Sequence, residues 1–218
     1  MTVRVYLVDD HAAVLEAFKM LLESDPEISV AGMAGNGRTA VAELRKVQAD
    51  LVIMDITMPE LNGIEAIKQI REFNKDIRIL VLSMHSTSEH VFRAFQAGAA
   101  GFLLKEETRD LVQAVHAIMN GERLVSGKLA DLDLPQYQSG YQRSPLDALS
   151  NREREVLQLT VEGKSADEIA EILVLSAKSV ETYRTRLRKK LGVNDLPALG
   201  MVDRKSTRLN SRHESPSR

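Results

Sequence analysis

Asp9, Asp10, Asp55, Ser83 and Lys105 each stand where a short apolar run gives out. Val3–Val8 leads into Asp9-Asp10, Leu51–Met54 into Asp55, Ile77–Leu82 into Ser83, and Ala100–Leu104 into Lys105. Each residue alone has an ordinary structural use. Asp55 or the pair Asp10-His11 can cap a helix, Ser83 can be a loop hydroxyl, and Lys105 a solvated charge. Together they ask for more, because three like charges on one edge repel unless something compensates. The compensators at hand are the Lys105 ammonium and a divalent cation. Clustered carboxylate oxygens favour magnesium, which keeps some waters and is completed by a phosphoryl group. An aspartate beside such an ion can attack phosphorus and form an acyl phosphate, with lysine and metal neutralising the equatorial oxygens.

The elements that must position these residues are legible as alternating patterns. Continuous apolar runs at Val3–Val8, Ile28–Ala34, Leu51–Met54, Ile77–Leu82 and Ala100–Leu104 suit strands buried on both faces. Amphipathic stretches follow them: Ala13–Leu22, Thr39–Val47, Gly63–Phe73, Ser88–Ala97 and Thr108–Met119. In the first, Val14, Ala17, Phe18, Leu21 and Leu22 are assigned to the inward face. Five strand–helix units predict an α/β doubly wound parallel five-stranded sheet. In such a sheet the ligand crevice lies at the carboxyl ends of the strands, where the five polar residues converge.

This half, residues 2–121, resembles a response-regulator receiver domain of flavodoxin-like fold. The matching residues are the pair Asp9/Asp10, the Asp-x-x-Met-Pro-x-x-x-Gly pattern from Asp55 to Gly63, Ser83, and Gly-x-x-x-Lys ending at Lys105. The resemblance implies that Asp55 accepts a phosphoryl group from a sensor histidine kinase. It implies Mg2+ held by Asp9, Asp10, Asp55 and the backbone carbonyl of Thr57, with Lys105 and Ser83 meeting the phosphoryl oxygens. Phe102 stands at the aromatic switch position of the family, three before the lysine, and has no hydroxyl to bond outward. Its other reading is a core residue of the fifth strand. His85 either senses the same movement or is a plain loop histidine.

From Leu149 the pattern is wholly helical. Ser150-Asn151-Arg152-Glu153 is a capping box, Ser165-Ala166-Asp167-Glu168 caps the next helix, and Ser176 opens a third that stops at Leu191-Gly192. Two short helices joined by about three residues make a helix-turn-helix. The third helix carries Lys178, Arg184, Arg186, Arg188, Lys189 and Lys190 against Glu181, with Val180, Leu187 and Leu191 inward. A basic helix is often a solvated face, but as the second of a helix-turn-helix it reads as the one entering the major groove. Glu181, Thr182 and Thr185 are then placed for base edges, and Lys178, Tyr183, Arg186 and Lys189 for phosphates.

This half resembles the LuxR-type helix-turn-helix of NarL/FixJ-class response regulators. The matches are Leu149-Ser150-x-Arg152-Glu153-x-Glu155-Val156-Leu157, Gly163-Lys164-Ser165, Glu168-Ile169-Ala170, and Ser179-Val180-Glu181-Thr182 through Lys190-Leu191-Gly192. The expected organisation is a receiver over 1–121, a linker over 122–146 with a turn of helix between Leu124 and Leu134, and the DNA-binding domain over 147–202. The family's fourth helix is due near Asp195 and is cut short. Residues 203–218 have no helical apolar stripe and resemble a translated sequencing adaptor, so they are read as a non-native, disordered tail, with a basic DNA-binding tail the alternative. Their five basic residues face Asp203 and Glu214, so without them the net charge would go from −2 to −2 − 3 = −5.

Whole-chain properties narrow the classes. A net charge of −2 requires any nucleic-acid footprint to be local. With no cysteine, disulfides, thiolate catalysis and cysteine metal sites are excluded. No signal sequence and no apolar run near the roughly 20 residues of a membrane helix is visible, which makes a cytoplasmic protein the expectation and a membrane partner not one. The reading is a transcriptional regulator switched by phosphorylation of Asp55 and binding promoter DNA as a homodimer. It is not an enzyme beyond slow self-dephosphorylation. Its rivals are an aspartyl-phosphate phosphatase or phosphotransferase of haloacid-dehalogenase type, which would need an acid where Thr57 stands, and a regulator acting by protein contacts alone.

Overall fold

Strands that are apolar on both faces need helices on both sides, and each helical return lays the next strand parallel to the last. A computed structural model describes residues 2–84, 87–126 and 145–193, which fall in two compact units, Met1–Gly140 and Tyr141–Arg218. The first unit holds β1 (Val3–Val8), β2 (Ile28–Ala34), β3 (Leu51–Asp55), β4 (Arg78–Ser83), β5 (Gly101–Leu104) and β6 (Leu124–Val125). They form one sheet in the order β2-β1-β3-β4-β5-β6, and every pairing is parallel.

The period of two sorts the strand residues into two cores. Tyr6, Val8, Val52, Met54, Ile79, Val81, Phe102 and Leu104 face one way, toward α2 (Gly37–Glu43), α3 (Gly63–Phe73) and α4 (Ser88–Ala97). Val5, Leu7, Leu51, Ile53, Leu80, Leu82 and Leu103 face the other, toward α1 (Ala12–Leu22) and α5 (Leu111–Met119). Both sets are buried, which is why the runs read as continuous and not alternating.

The structure differs from the sequence reading at four places. The sheet has six strands, since Leu124–Val125 adds to the β5 edge in register Gly101↔Leu124 and Phe102↔Val125; the stretch assigned to a linker with a helical turn therefore begins as strand. On α1 the buried positions are Leu15 and Leu22, with Phe18 partly buried between them, while Ala17 is exposed; a lone methyl hardly biases the face. The second helix spans Gly37–Glu43 and starts where Asn36 accepts from the Thr39 amide, two residues before the expected Thr39. The fifth is preceded by a 3-10 segment at Lys105–Asp110 and becomes α-helical only at Leu111.

The second unit is built from a 3-10 turn at Pro145–Ala148, then α6 (Asn151–Val161), α7 (Ala166–Leu173) and α8 (Ala177–Leu191). Both capping boxes form, Ser150 with Glu153 and Ser165 with Glu168, and Ser176 caps α8 by accepting from the Ser179 amide. Val174 turns the chain between α7 and α8 with φ 53°. Val156, Leu159, Ile169, Leu173, Val180 and Leu187 make the core. Position 195, where a fourth helix is expected, and residues 203–218 lie outside the described residues.

Candidate functional site

The parallel register brings the strand ends of the first unit to one edge. Met54 pairs with Val8, Asp55 with Leu82, and Ser83 with Leu104, so Asp9, Asp55, Ser83 and Lys105 arrive together. Asp9, Asp55 and Ser83 are buried, at 2%, 5% and 1% exposure. Lys105 bridges the two carboxylates, its Nζ 2.5 Å from Asp9 Oδ2 and 2.9 Å from Asp55 Oδ2. The other Asp55 oxygen accepts from the Ile56 amide at 2.7 Å.

Burial pushes the Asp55 carboxyl above its ordinary range; Lys105 pulls it down, and the like charge of Asp9 adds to the rise. Burial works against the Lys105 ammonium, yet its bonds to Asp9 and Asp55 outweigh it and hold the lysine above its ordinary value. The pocket thus carries two buried carboxylates against one ammonium. It has room, electrostatically, for one more positive group.

The loop after β3 is shaped to leave this carboxylate in place. A Cβ on Gly63 would lie 2.0 Å from the Asp55 carbonyl oxygen and 3.0 Å from Ile56 Cα, so only glycine lets α3 start this close to β3. The turn is closed by the Gly63 amide donating to the Ile56 carbonyl at 2.9 Å. Thr57 is exposed beside it.

Asp10 is exposed, and its Oδ1 lies 2.8 Å from His11 Nδ1. The His11 amide donates to Asp9 Oδ1 at 3.0 Å, and His11 is the N-cap of α1 without a side-chain capping bond, so Asp10-His11 does not act as a side-chain cap. Asp9, Asp10 and His11 have ligand atoms all within 4.8 Å of one another; Asp55 stands apart from that close group, joined to Asp9 through Lys105. Hard oxygens from two adjacent aspartates, one of them open to solvent, next to a pocket short of positive charge, fit a magnesium ion. His11 is the neighbour the sequence reading passed over as a cap, although its place directly after the acidic pair was a visible signal. Phe102 is fully buried in the core of β5. His85 lies outside the described residues.

In the second unit α8 presents Lys178, Glu181, Thr182, Thr185, Arg186 and Lys189 as exposed residues, with Tyr183 partly buried. The Arg186 guanidinium stands 5.9 Å from the Tyr183 ring centroid. Two residues counted in the basic surface belong elsewhere. Arg184 is 6% exposed and sits inside the apolar stripe, because 180, 184, 187 and 191 share a helical face. Lys190 is tied to Glu153 Oε2 at 2.7 Å and to the Ala148 carbonyl at 3.3 Å, which fastens the end of α8 to the cap of α6.

Comparison with known proteins matches the response regulator receiver domain over residues 5–116 and the luxR family of bacterial regulatory proteins over residues 147–202. The chain is 37% identical over 199 residues to the transcriptional regulatory protein MctR of Rhizobium johnstonii, covering 90% of this chain and 91% of MctR. It is 34% identical over 194 residues to the response regulator UvrY of Escherichia coli, covering 88% and 89%. Among solved structures, RcsB from Salmonella enterica serovar Typhimurium, bound to promoter P1flhDC in the presence of the phosphomimetic BeF3−, is similar with a TM-score of 0.59 and 29% identity over 93% of this chain and 98% of that one.

Proposed function

This chain belongs to the response regulators of the NarL/FixJ class, with a receiver domain and a LuxR-type DNA-binding domain that make it a DNA-binding transcription regulator, and from that premise we propose that Asp55 is the phosphoryl-accepting switch. A carboxylate oxygen of Asp55 attacks phosphorus of a phosphohistidine on a sensor kinase. The P–O bond forms as the P–N bond breaks, and the leaving imidazole takes a proton. Asp9, Asp10, Asp55 and the Thr57 carbonyl would hold Mg2+, which when bound would supply positive charge to the transferring oxygens.

What supports this most is the buried Asp9–Lys105–Asp55 bridge. Lys105 holds both carboxylates before transfer and moves its contact to the phosphoryl oxygens afterwards, while Ser83 donates its hydroxyl to one of them and Phe102 repacks with β5. The acyl phosphate hydrolyses slowly in the same pocket, and that is the extent of its enzymology. The domains are a receiver from residue 1 to β6, a linker up to 146 and the helix-turn-helix over 147–202. The phosphorylated form pairs as a homodimer on promoter DNA in the cytoplasm, reading bases with Glu181, Thr182 and Thr185 and meeting phosphates with Lys178, Tyr183, Arg186 and Lys189. The haloacid-dehalogenase alternative and the protein-contact alternative both fall with the family.

The test is intact mass after incubation with Mg2+ and acetyl phosphate. Wild type gains one phosphoryl group and Asp55→Asn gains none; an equal gain in the variant sinks the assignment of Asp55.

A further inference from the structure

A guanidinium inside an apolar stripe must satisfy its donors within the protein. Arg184 does so across three places. Its Nη2 donates to the Lys164 carbonyl beyond α6 at 2.8 Å, its Nε to Thr160 Oγ1 in the last turn of α6 at 3.3 Å, and its Nη1 to Glu181 Oε1 at 2.9 Å. The first two bonds fix the arginine to the end of α6 and the turn that follows it. The third reaches outward, to a side chain that is 52% exposed. The second carboxylate oxygen of Glu181 has no partner among the described residues. Beside Glu181, the hydroxyl of the next residue, Thr182, donates to the Lys178 carbonyl, and that of Thr185, one turn further on, to the Glu181 carbonyl, each at 2.9 Å. With the hydroxyls engaged by the backbone, the γ-methyls are what these threonines have left to offer a base edge.

We propose that Arg184 is a positioning residue which makes Glu181 the specificity-determining acceptor of α8, aimed at a cytosine amino group in a half-site whose neighbouring thymine methyls meet Thr182 and Thr185. This rests on α8 being the helix that enters the major groove. A carboxylate is acceptor-only, and cytosine N4 is the base-edge donor that suits it. An unpaired glutamate among phosphates would be repelled, and a free one would lose its rotamer freedom on binding. Arg184 removes both penalties: it neutralises Glu181 in place and fixes one of its oxygens beforehand. Lysine cannot do the same, because one ammonium lacks the planar fork that spans the Lys164 carbonyl and the carboxylate together.

The test is selection from a random-sequence duplex library by the full chain treated with Mg2+ and acetyl phosphate, comparing wild type, E181A, R184M and R184K. Folding of each is checked by helical circular dichroism and thermal unfolding. Wild type enriches a motif with one C·G-specific position. E181A and R184M both lose that position's preference, by about tenfold, and keep the rest of the motif. A fifth protein, the E181A/R184M double variant, loses no more than either single one, since both substitutions remove the same contact. R184K, which keeps the charge and the fold, loses most of the preference too. If E181A erases the position while a folded R184M or R184K keeps it at wild-type strength, the positioning role is overturned and α8 remains the reading helix. If wild type enriches no motif, or E181A changes nothing in it, Glu181 is no base reader and the inference falls.

Discussion

At Asp55 two requirements conflict: a nucleophilic carboxylate must be ionised, and burial beside Asp9 resists that ionisation. The group therefore costs stability when charged. Its folded pKa lies above its unfolded one, so its favourable share is present at low pH and is lost as pH rises through the raised value. Asp55→Asn removes the charge at constant shape and should raise the midpoint of receiver unfolding at pH 7 by on the order of a few degrees. The difference from wild type should shrink as pH falls below the ordinary aspartate range, where both side chains are neutral. A thermal series in pH shows this, and a variant that melts lower than wild type at pH 7 refutes it. Gly63→Ala should do the opposite. The three atoms its Cβ would meet first are all backbone, at Asp55 and Ile56, so the closest contacts cannot yield by a side-chain rotation. Urea unfolding should show a loss of about 1–3 kcal/mol, and phosphoryl uptake from acetyl phosphate should slow as Asp55 shifts. At this scale the pocket was legible, because strand-end placement is a local property of the chain. The Lys105 bridge was readable as a need for compensation, though not as a bond shared by Asp9 and Asp55. Arg184 was counted among the helix's charges and given no place of its own, although the series 180, 184, 187, 191 already put it on the buried face.

Elements were legible where their own periodicity defined them and illegible where a partner did. The five longer strands and the three helices of the second unit carry their patterns in their own residues, and their caps form as the Ser-x-x-Glu spacing requires. Leu124–Val125 has no such pattern; two residues become a strand only because the β5 edge beside them is open. The strand is held at its end by the Ser126 amide donating to the Phe102 carbonyl at 2.8 Å and by the Ser126 hydroxyl donating to Glu107. Glu107 belongs to the 3-10 segment that begins at Lys105, so the last residue of this edge is fastened two positions from the lysine that bridges Asp9 and Asp55. Glu107→Ala should loosen β6 while leaving the pocket bonds intact. Amide exchange at Ser126 should quicken by about five- to tenfold, the loss of a bond worth about 1 kcal/mol, with exchange in β1 and β3 unchanged. Unaltered Ser126 protection would show that the backbone pairing alone holds the strand.

For the whole molecule, a net charge of −2 leaves long-range attraction to DNA to the few cations that α8 exposes. With Arg184 buried and Lys190 tied to Glu153, the cations left exposed on α8 among the residues proposed to meet phosphates are Lys178, Arg186 and Lys189. Each phosphate neutralised steepens the fall of binding with salt by about 0.9 in log–log slope. A single substitution therefore counts protomers. Lys189→Ala removes one contact from a monomer on DNA and two from a symmetric dimer, so the slope should shallow by about 0.9 in the first case and about 1.8 in the second. Measured by anisotropy on one duplex between low and physiological salt, the phosphorylated protein should show the larger change. Asp55→Asn, which lacks the proposed phosphoacceptor, should show the smaller. Equal changes in the two proteins would mean that phosphorylation does not alter how many copies bind: two copies in both states if the change is about 1.8, one in both if it is about 0.9.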